Sequence, residues 1–435
     1  MPDFGRSRRT ISSGAEPETR AMRNRIENND VKGGASFLSA EPARAYTDSA
    51  ITFLREGNDP LRAPNIKQGG AAEQKVRPER TTTPLKIVFI ARLDATSQGT
   101  GASACCHLAA ALTDRGHRLL ILEFKQKSNR KPEPPAFGQT VFYESLRELK
   151  DRFTAAIRSA DFVMVGSNVP DGAAIGDWVT HVAQGTTAFY DLNTPITLSK
   201  LDRGESQHLT RSLIQRYHLY LSLTGGPLLE LLNKYYGVRM VRPLYGSVDT
   251  SLFYPERCKL KWDLAYTGNF NDDRLPGLDE LLLEPARHWA AGRFVVAGDG
   301  HPVNSDWPGN VKRLAMAGPG KERAFYNSQR FALNVTGADM IDAGFSPGLR
   351  IFEAAACGTP IISDYWEDLE TFFAPDEEIL FARSAEEVLE YLRGIREDER
   401  LRIGESARRR ILSEHSAEQR AIELENYAME ALSRV

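Results

Sequence analysis

Most residues of this chain that combine a reactive side chain with a meaningful spacing lie in one stretch, "GFSPGLRIFEAAACGTPIISD", Gly344 to Asp364. Ser346 fits a helix N-cap, Pro347 the first helical position and Gly358 the C-terminal cap. In the helix so framed, Leu349, Ile351, Phe352, Ala355 and Ala356 cover one broad apolar face. Arg350, Glu353 and Cys357 share the narrow opposite face. An exposed ion pair at this spacing would contribute only about 0.3 kcal/mol. The segment is internal, however: "TPIIS" after it is a buried-type strand, and "TGADMIDAGF" before it reads as a loop at a strand's carboxyl end. Arg350 and Glu353 are therefore expected to face a cleft, with the helix N-terminus at Ser346 to Gly348 suited to an anionic group.

Other loops could add to such a cleft. In "AYTGNFNDDR" a strand ends at Thr267, Gly268 permits close backbone approach, and Arg274 could offer a bidentate fork to a diphosphate or stand solvated in a turn. In "QGTGASA", Gly99, Gly101 and Ala104 fit G-x-G-x-x-A, with Glu123 at the end of the next strand where a dinucleotide fold keeps its ribose-binding acid. That fingerprint wants its first glycine directly after a strand, and here "RLDATSQ" intervenes. A loop reaching into the cleft, a surface loop and an NAD site all stay open. No D-x-D or G-x-x-x-x-G-K-[ST] pattern occurs, so neither a metal-bound diphosphate nor a P-loop is signalled.

These loops need elements to hold them. From "LKIVFIA" (Leu85 to Ala91) onward, short apolar runs alternate with amphipathic helical stretches, which is the pattern of parallel strands covered by helices on both faces. One series fills 84–245 and a second fills 246–415, joined by the Pro/Tyr/Gly-containing "RPLYGSVDTSLFYP". The fold class expected is α/β, two doubly wound Rossmann-like domains whose ligands sit beyond the strands' carboxyl ends, in a cleft between them. A long charged helix over 397–432 closes the chain, with 416–435 packing back toward the first domain. Residues 1–83 are rich in Gly, Pro, Arg, Asn and Glu and are expected to be mostly disordered.

With 435 residues, 41% hydrophobic, 26% charged and a net charge of -3, the composition is that of an ordinary globular chain and suggests neither nucleic acid nor an anionic membrane as main partner. No apolar run approaches the ~20 residues that span a bilayer, and no signal peptide is evident after the first arginines. The four cysteines, Cys105, Cys106, Cys258 and Cys357, form no C-x-x-C or zinc spacing. A cytoplasmic protein with reduced thiols is expected.

"LRIFEAAACGTPIISDYWEDLETFF", with "LNVT" upstream and "EILFARSAEEVLEYL" downstream, resembles the GT-B glycosyltransferases, most closely the spore-maturation-protein-like group, glycosyl transferases group 1. The likeness covers about 262–430 well, and the first domain more loosely through "KIVFIA", "ALTDRGH", "YDLNTP", "LTGGP" and "LYGSVDTSLFYP". The resemblance implies a nucleoside-diphosphate sugar on the C-terminal domain, UDP before GDP or dTDP, and an acceptor (protein, glycan, lipid-linked sugar or small molecule) on the N-terminal one. By the same resemblance Glu353 holds the nucleotide ribose, and Gly268, Asn269 and Arg274 lie near the diphosphate. Ser346, Pro347, Gly348 and Arg350 present donors to phosphate or sugar, and Gly318, within "AGPGKE", lines the base pocket. Gly99, Thr100 and Gly101 match a mobile cleft loop, and Asp191 and Asn193 match the strand-end acidic motif at the reaction centre. No metal or cofactor is implied. Retaining relatives carry E-x7-E, but the position eight before Glu353 is Phe345, and Asn193 stands where an aspartate is common. A sugar-nucleotide epimerase and an inactive nucleotide-sugar-binding protein share the same scaffold as alternatives.

Overall fold

In the computed structural model the described residues are 83–92, 100–125, 138–301, 307–315, 321–366 and 368–434. The expectations placed on 1–83, save its last residue, and on Gly99 and Gly318 lie outside them. The first domain is a sheet of seven strands in the order β3-β2-β1-β4-β5-β6-β7, all parallel. These are β1 (Lys86–Ile90), β2 (Arg118–Phe124), β3 (Gln139–Tyr143), β4 (Phe162–Gly166), β5 (Thr186–Asp191), β6 (Leu219–Ser222) and β7 (Val241–Pro243). The second sheet has six parallel strands in the order β10-β9-β8-β11-β12-β13. Its strands are β8 (Trp262–Thr267), β9 (Phe294–Ala297), β10 (Val311–Leu314), β11 (Gln329–Asn334), β12 (Ile361–Ser363) and β13 (Leu380–Phe381).

The central strands are the apolar runs read from the sequence. β4 and β6 are buried at every residue because helices cover both sheet faces. Four strands escaped that reading: β3, β7, β10 and β13. All four are sheet edges. An edge strand is covered less, so it needs no continuous apolar run, and "VKRL" of β10 is half-buried to exposed throughout.

Three expectations about helices are corrected. The stretch 337–343 is not an open loop but contains the helix Ala338–Ala343. The helix expected from Ser346 begins instead at Leu349 with Gly348 as N-cap, so Pro347 is not its first residue. It ends at Ala356, and Cys357, beyond it, is buried rather than sharing an open face with Glu353. The closing helix is two helices, Glu397–Arg410 and Ala417–Leu432. Ser416 breaks them: its backbone is extended and its hydroxyl caps the second helix by accepting from the Gln419 amide.

That break lets the chain cross between domains a second time. Residues 244–249 lead out of the first sheet, and 415–417 run beside them, with Val248 N–H donating to His415 O and Ala417 N–H to Val248 O. The helix Ala417–Leu432 then lies on the helix Thr100–Asp114. Small residues, Ala421, Ala428 and Ala431 against Cys105 and Ala109, share one buried cluster there. Glu425, buried at this contact, accepts from Arg115 through both carboxylate oxygens at 2.5 and 2.7 Å and from His117 Nε2 at 2.7 Å. The other nitrogen of His117 accepts from the Leu85 amide, which places the ring proton on Nε2. Burial pushes the Glu425 carboxyl up, but Arg115 and His117 outweigh it and hold it below the usual glutamate range.

Removing this carboxylate leaves a half-buried arginine and the buried His117 without their partner. Glu425→Ala is expected to destabilise the chain by about 3 kcal/mol, read as a lower denaturation midpoint, whereas the exposed-pair variant Glu144→Ala should change it little.

Candidate active site

The second sheet gathers its polar residues at the carboxyl ends of β8, β11 and β12. Thr267, Asn334 and Arg350 line a small cavity together with Tyr326 and the apolar Ala265, Ala332, Leu333, Ile351, Ala354 and Ile361. A second cavity shares Thr267 and Tyr326 and is otherwise lined by Ala297, Leu314, Ala315, Glu322 and Phe325. Both spaces are mostly apolar, and Arg350 brings a cation to the edge of the first.

Glu353 stands beside them. Its Oε2 accepts from the buried Tyr326 hydroxyl at 2.8 Å. Burial pushes its carboxyl up to about 7, with the Tyr326 hydrogen bond and the Arg350 charge opposing and Glu322 adding to the rise. Arg350 is half-buried and, among the described residues, makes neither a hydrogen bond nor an ion pair. Arg274 is similar: half-buried, its Nε is enclosed without a partner, and it lies over Gly337, where a Cβ would come within 3.6 Å of that nitrogen. Its charge opposes the upward push of burial on Asp364, which also accepts from the Thr336 amide at 2.7 Å. Two guanidinium groups with no ion-pair partner among the described residues therefore flank the strand ends where an anion would sit.

Gly268 and Asn269 sit where the turns after β8 and β9 meet. Gly298 allows the turn after β9 to touch the turn after β8, since a Cβ there would lie 1.9 Å from the Gly268 carbonyl oxygen. Gly268 donates to Ala297 O, its carbonyl accepts from His301 Nε2 at 2.7 Å, and Asn269 Oδ1 accepts from the Asp299 amide. These groups join the two turns to each other.

Ser346 and Phe345 reach the other domain. The Ser346 and Thr224 hydroxyls, both buried, share a hydrogen bond of 3.0 Å, and Gly225 N–H donates to Phe345 O at 3.0 Å. The Phe345 ring covers Gly226, where a Cβ would lie 2.2 Å from it. Phe345 holds φ at +45°, a costly conformation for an aromatic residue, and Gly344 before it is at +62°. The helix Ala338–Ala343 meets the helix Thr194–Asp202 alongside. The turn of "LTGGP" thus clasps the turn of "GFSPG".

Asp191 is fully buried at the end of β5. Its oxygens accept from Tyr220 OH, from Thr197 Oγ1 at 2.8 Å and from the Asn193 amide at 3.1 Å, while burial pushes its carboxyl above the usual range. In this arrangement it organises the loop rather than facing open space. Asn193 is half-buried and its Oδ1 is enclosed without a partner. Thr100 and Gly101 are the first residues of the helix Thr100–Asp114, which begins ten residues beyond the end of β1 and so departs from the tight turn of a dinucleotide fingerprint. Glu123 lies within β2, buried and paired in register with Phe142. The residues missed from sequence are Thr224, Tyr326, Asn334 and Asp364. Only "LNVT" and "LTGGP" hinted at two of them, and nothing marked Tyr326.

Residues 274–426 match the glycosyl transferase-like family. No curated protein matches. Among solved structures, sucrose-phosphate synthase from Thermosynechococcus elongatus is similar over 81% of this chain and 100% of its own, at 14% identity and a TM-score of 0.56. The fold is GT-B. HepE of Anabaena, in complex with UDP and glucose, matches over 79% of this chain and 99% of its own, at 13% identity and a TM-score of 0.57. An alpha-glucosyltransferase in complex with UDP-glucose and DNA containing an abasic site matches over 80% and 100%, at 12% identity and a TM-score of 0.60. The family match and the GT-B fold mark the C-terminal domain as a glycosyltransferase domain. Among the described residues no helix is long and apolar enough to cross a membrane, and no group of three or more His, Cys, Asp or Glu side chains could hold a metal ion.

The clasp has a measurable signature. Thr224→Val and Ser346→Ala should each cost about 1 kcal/mol and speed amide exchange at Gly225. Because both remove one shared bond, the double variant should cost less than the sum. Additive losses with unchanged exchange would show that the two hydroxyls do not hold the turns together.

Proposed function

We propose that this chain transfers a sugar from a nucleoside-diphosphate donor, held by the C-terminal domain, to an acceptor held by the N-terminal domain. The observation that carries the reading is Glu353: a carboxylate raised by burial, oriented by Tyr326, beside two joined cavities and the unpaired Arg350. A ribose offers two adjacent hydroxyl donors, which such a carboxylate accepts. The mostly apolar cavity between Phe325 and Ala297 suits a flat base, and uridine is favoured because two of the similar structures hold UDP or UDP-glucose.

In the reaction the bond from the anomeric carbon to the diphosphate oxygen breaks and a bond to an acceptor oxygen forms. The acceptor's proton is lost, and the departing diphosphate gains negative charge. Arg274 and Arg350 would stabilise that charge, so the reading needs no resident metal; preorganised cations in a partly dry site act more strongly than in water. Retention at the anomeric carbon is the stereochemistry proposed, on the half of the E-x7-E pattern that Glu353 keeps. Phe345 cannot serve as the other half, since it clasps the N-terminal domain. The acceptor is proposed as a hydroxyl compound.

Binding of UDP, GDP, dTDP and NAD to wild type and Glu353→Ala tests the reading. One nucleoside diphosphate should bind, and the variant should lose it by about 10–100-fold, the worth of hydrogen bonds to a charged group. Only the ionised carboxylate accepts through both oxygens, and burial raises this carboxyl to about 7, so affinity should rise by up to about tenfold from pH 6 to pH 8. Glu353→Gln should lack that rise and supplies the nucleotide's own titration as baseline. Binding of NAD alone, indifferent to Glu353, would overturn the proposal.

A further inference from the structure

The N-terminal sheet has its own switch point. β1 leads to β2 on one side and pairs with β4 on the other, so a crevice opens at the carboxyl ends of β1 and β4, where open parallel sheets bind ligands. Arg92 is the second residue beyond β1 and stands at that crevice. Its backbone is gripped by one side chain: Asn168 Oδ1 accepts from Arg92 N–H at 3.4 Å, and Asn168 Nδ2 donates to Arg92 O at 3.3 Å. Gly166 makes room for this grip, as a Cβ there would lie 2.9 Å from Asn168 Oδ1.

Among the described residues the guanidinium itself has no partner. Arg115, Arg216 and Arg242, the other half-buried arginines of this domain, each pair with a carboxylate. Arg92, among the described residues, pairs with none, and its Nε is enclosed without a partner. A partly desolvated cation left unpaired is costly, and the cost is recovered when an anion arrives. The same turn that grips Arg92 also holds the neighbouring loop, since Ser167 Oγ accepts from the Leu192 amide at 3.0 Å. The next residue in that loop, Asn193, carries an enclosed Oδ1 with no donor. The turn 167–168 thus fixes an unpaired cationic fork and, on the adjoining strand end, an unpaired acceptor.

We propose that Arg92 forms the anion-binding part of the acceptor subsite, which takes a hydroxyl compound bearing a compact oxyanion. The oxyanion, a phosphate or a carboxylate, meets the Arg92 fork. This rests on the glycosyltransferase reading for its use, but not for its measurement.

Glycerol 3-phosphate, glycerate and glycerol, titrated into the full chain with and without UDP, test it on wild type, Arg92→Gln and Arg92→Lys. At least one of the two anions should bind wild type tenfold or more tighter than glycerol, and which one binds names the group. Arg92→Gln should lose that preference, Arg92→Lys should keep part of it, and UDP affinity should be the same in all three. Equal anion binding by wild type and Arg92→Gln, or no anion binding by wild type, would overturn the subsite. Failure of UDP to bind wild type would instead remove the donor reading, while the titrations without nucleotide still decide Arg92.

Discussion

The arrangement of this molecule depends on the return of its last helix. Glu425 is buried between Arg115 and His117, on the far side of the domain boundary from the helices that precede it in sequence. A carboxylate desolvated to that degree is tolerable only with both partners in place, so the helix Ala417–Leu432 has one register on the first domain. The chain must then cross between domains twice, at 244–249 and at 415–417. Two crossings define a hinge and keep the carboxyl ends of both sheets on the same cleft. At the second crossing the His415 ring stacks on Phe352 at 4.8 Å and accepts from Arg420. Phe352 belongs to the helix that carries Arg350 and Glu353, so the hinge and the candidate site share one element.

Charge is distributed in that cleft in a way that structural needs alone do not explain. Several half-buried arginines elsewhere pair with carboxylates, as Arg410 does with Glu378 and Arg323 with Glu256. Arg274, Arg350 and Arg92 depart from this habit, and each stands at the carboxyl end of a parallel strand or at the start of the helix that follows one. Burial raises Glu353 rather than stabilising its charge, which leaves a carboxyl that gains from hydroxyl donors. Unmet electrostatic demand of both signs is what a ligand carrying phosphates and hydroxyls would satisfy.

Phe345 shows how a departure from a family pattern can be read structurally. A glutamate at that position would have to occupy positive φ and place its carboxylate on Gly226. An aromatic ring gains contact area there, and the carbonyl of Phe345 and the hydroxyl of Ser346 complete the clasp to Gly225 and Thr224. The backbone strain at Phe345 is held by these contacts from the opposite domain, which makes the turn a point where closure and loop conformation are coupled.

The sequence by itself determined the two parallel sheets, because strands buried on both faces must be short apolar runs and the helices between them amphipathic. It determined the helix around Glu353 and its turn away from the apolar face, since that follows from 3.6-residue periodicity. It did not disclose the edge strands β3, β7, β10 and β13, where partial exposure removes the apolar signal. It could not separate Asp191, enclosed by Tyr220 and Thr197, from a carboxylate open to the cleft, because burial depends on residues 6 to 29 positions away. The pairing of Tyr326 with Glu353, the clasp of Thr224 on Ser346 and the isolation of Arg92 were decided only by tertiary structure. Each is a matter of which distant groups arrive, and which do not, at a side chain whose own type was plain from the start.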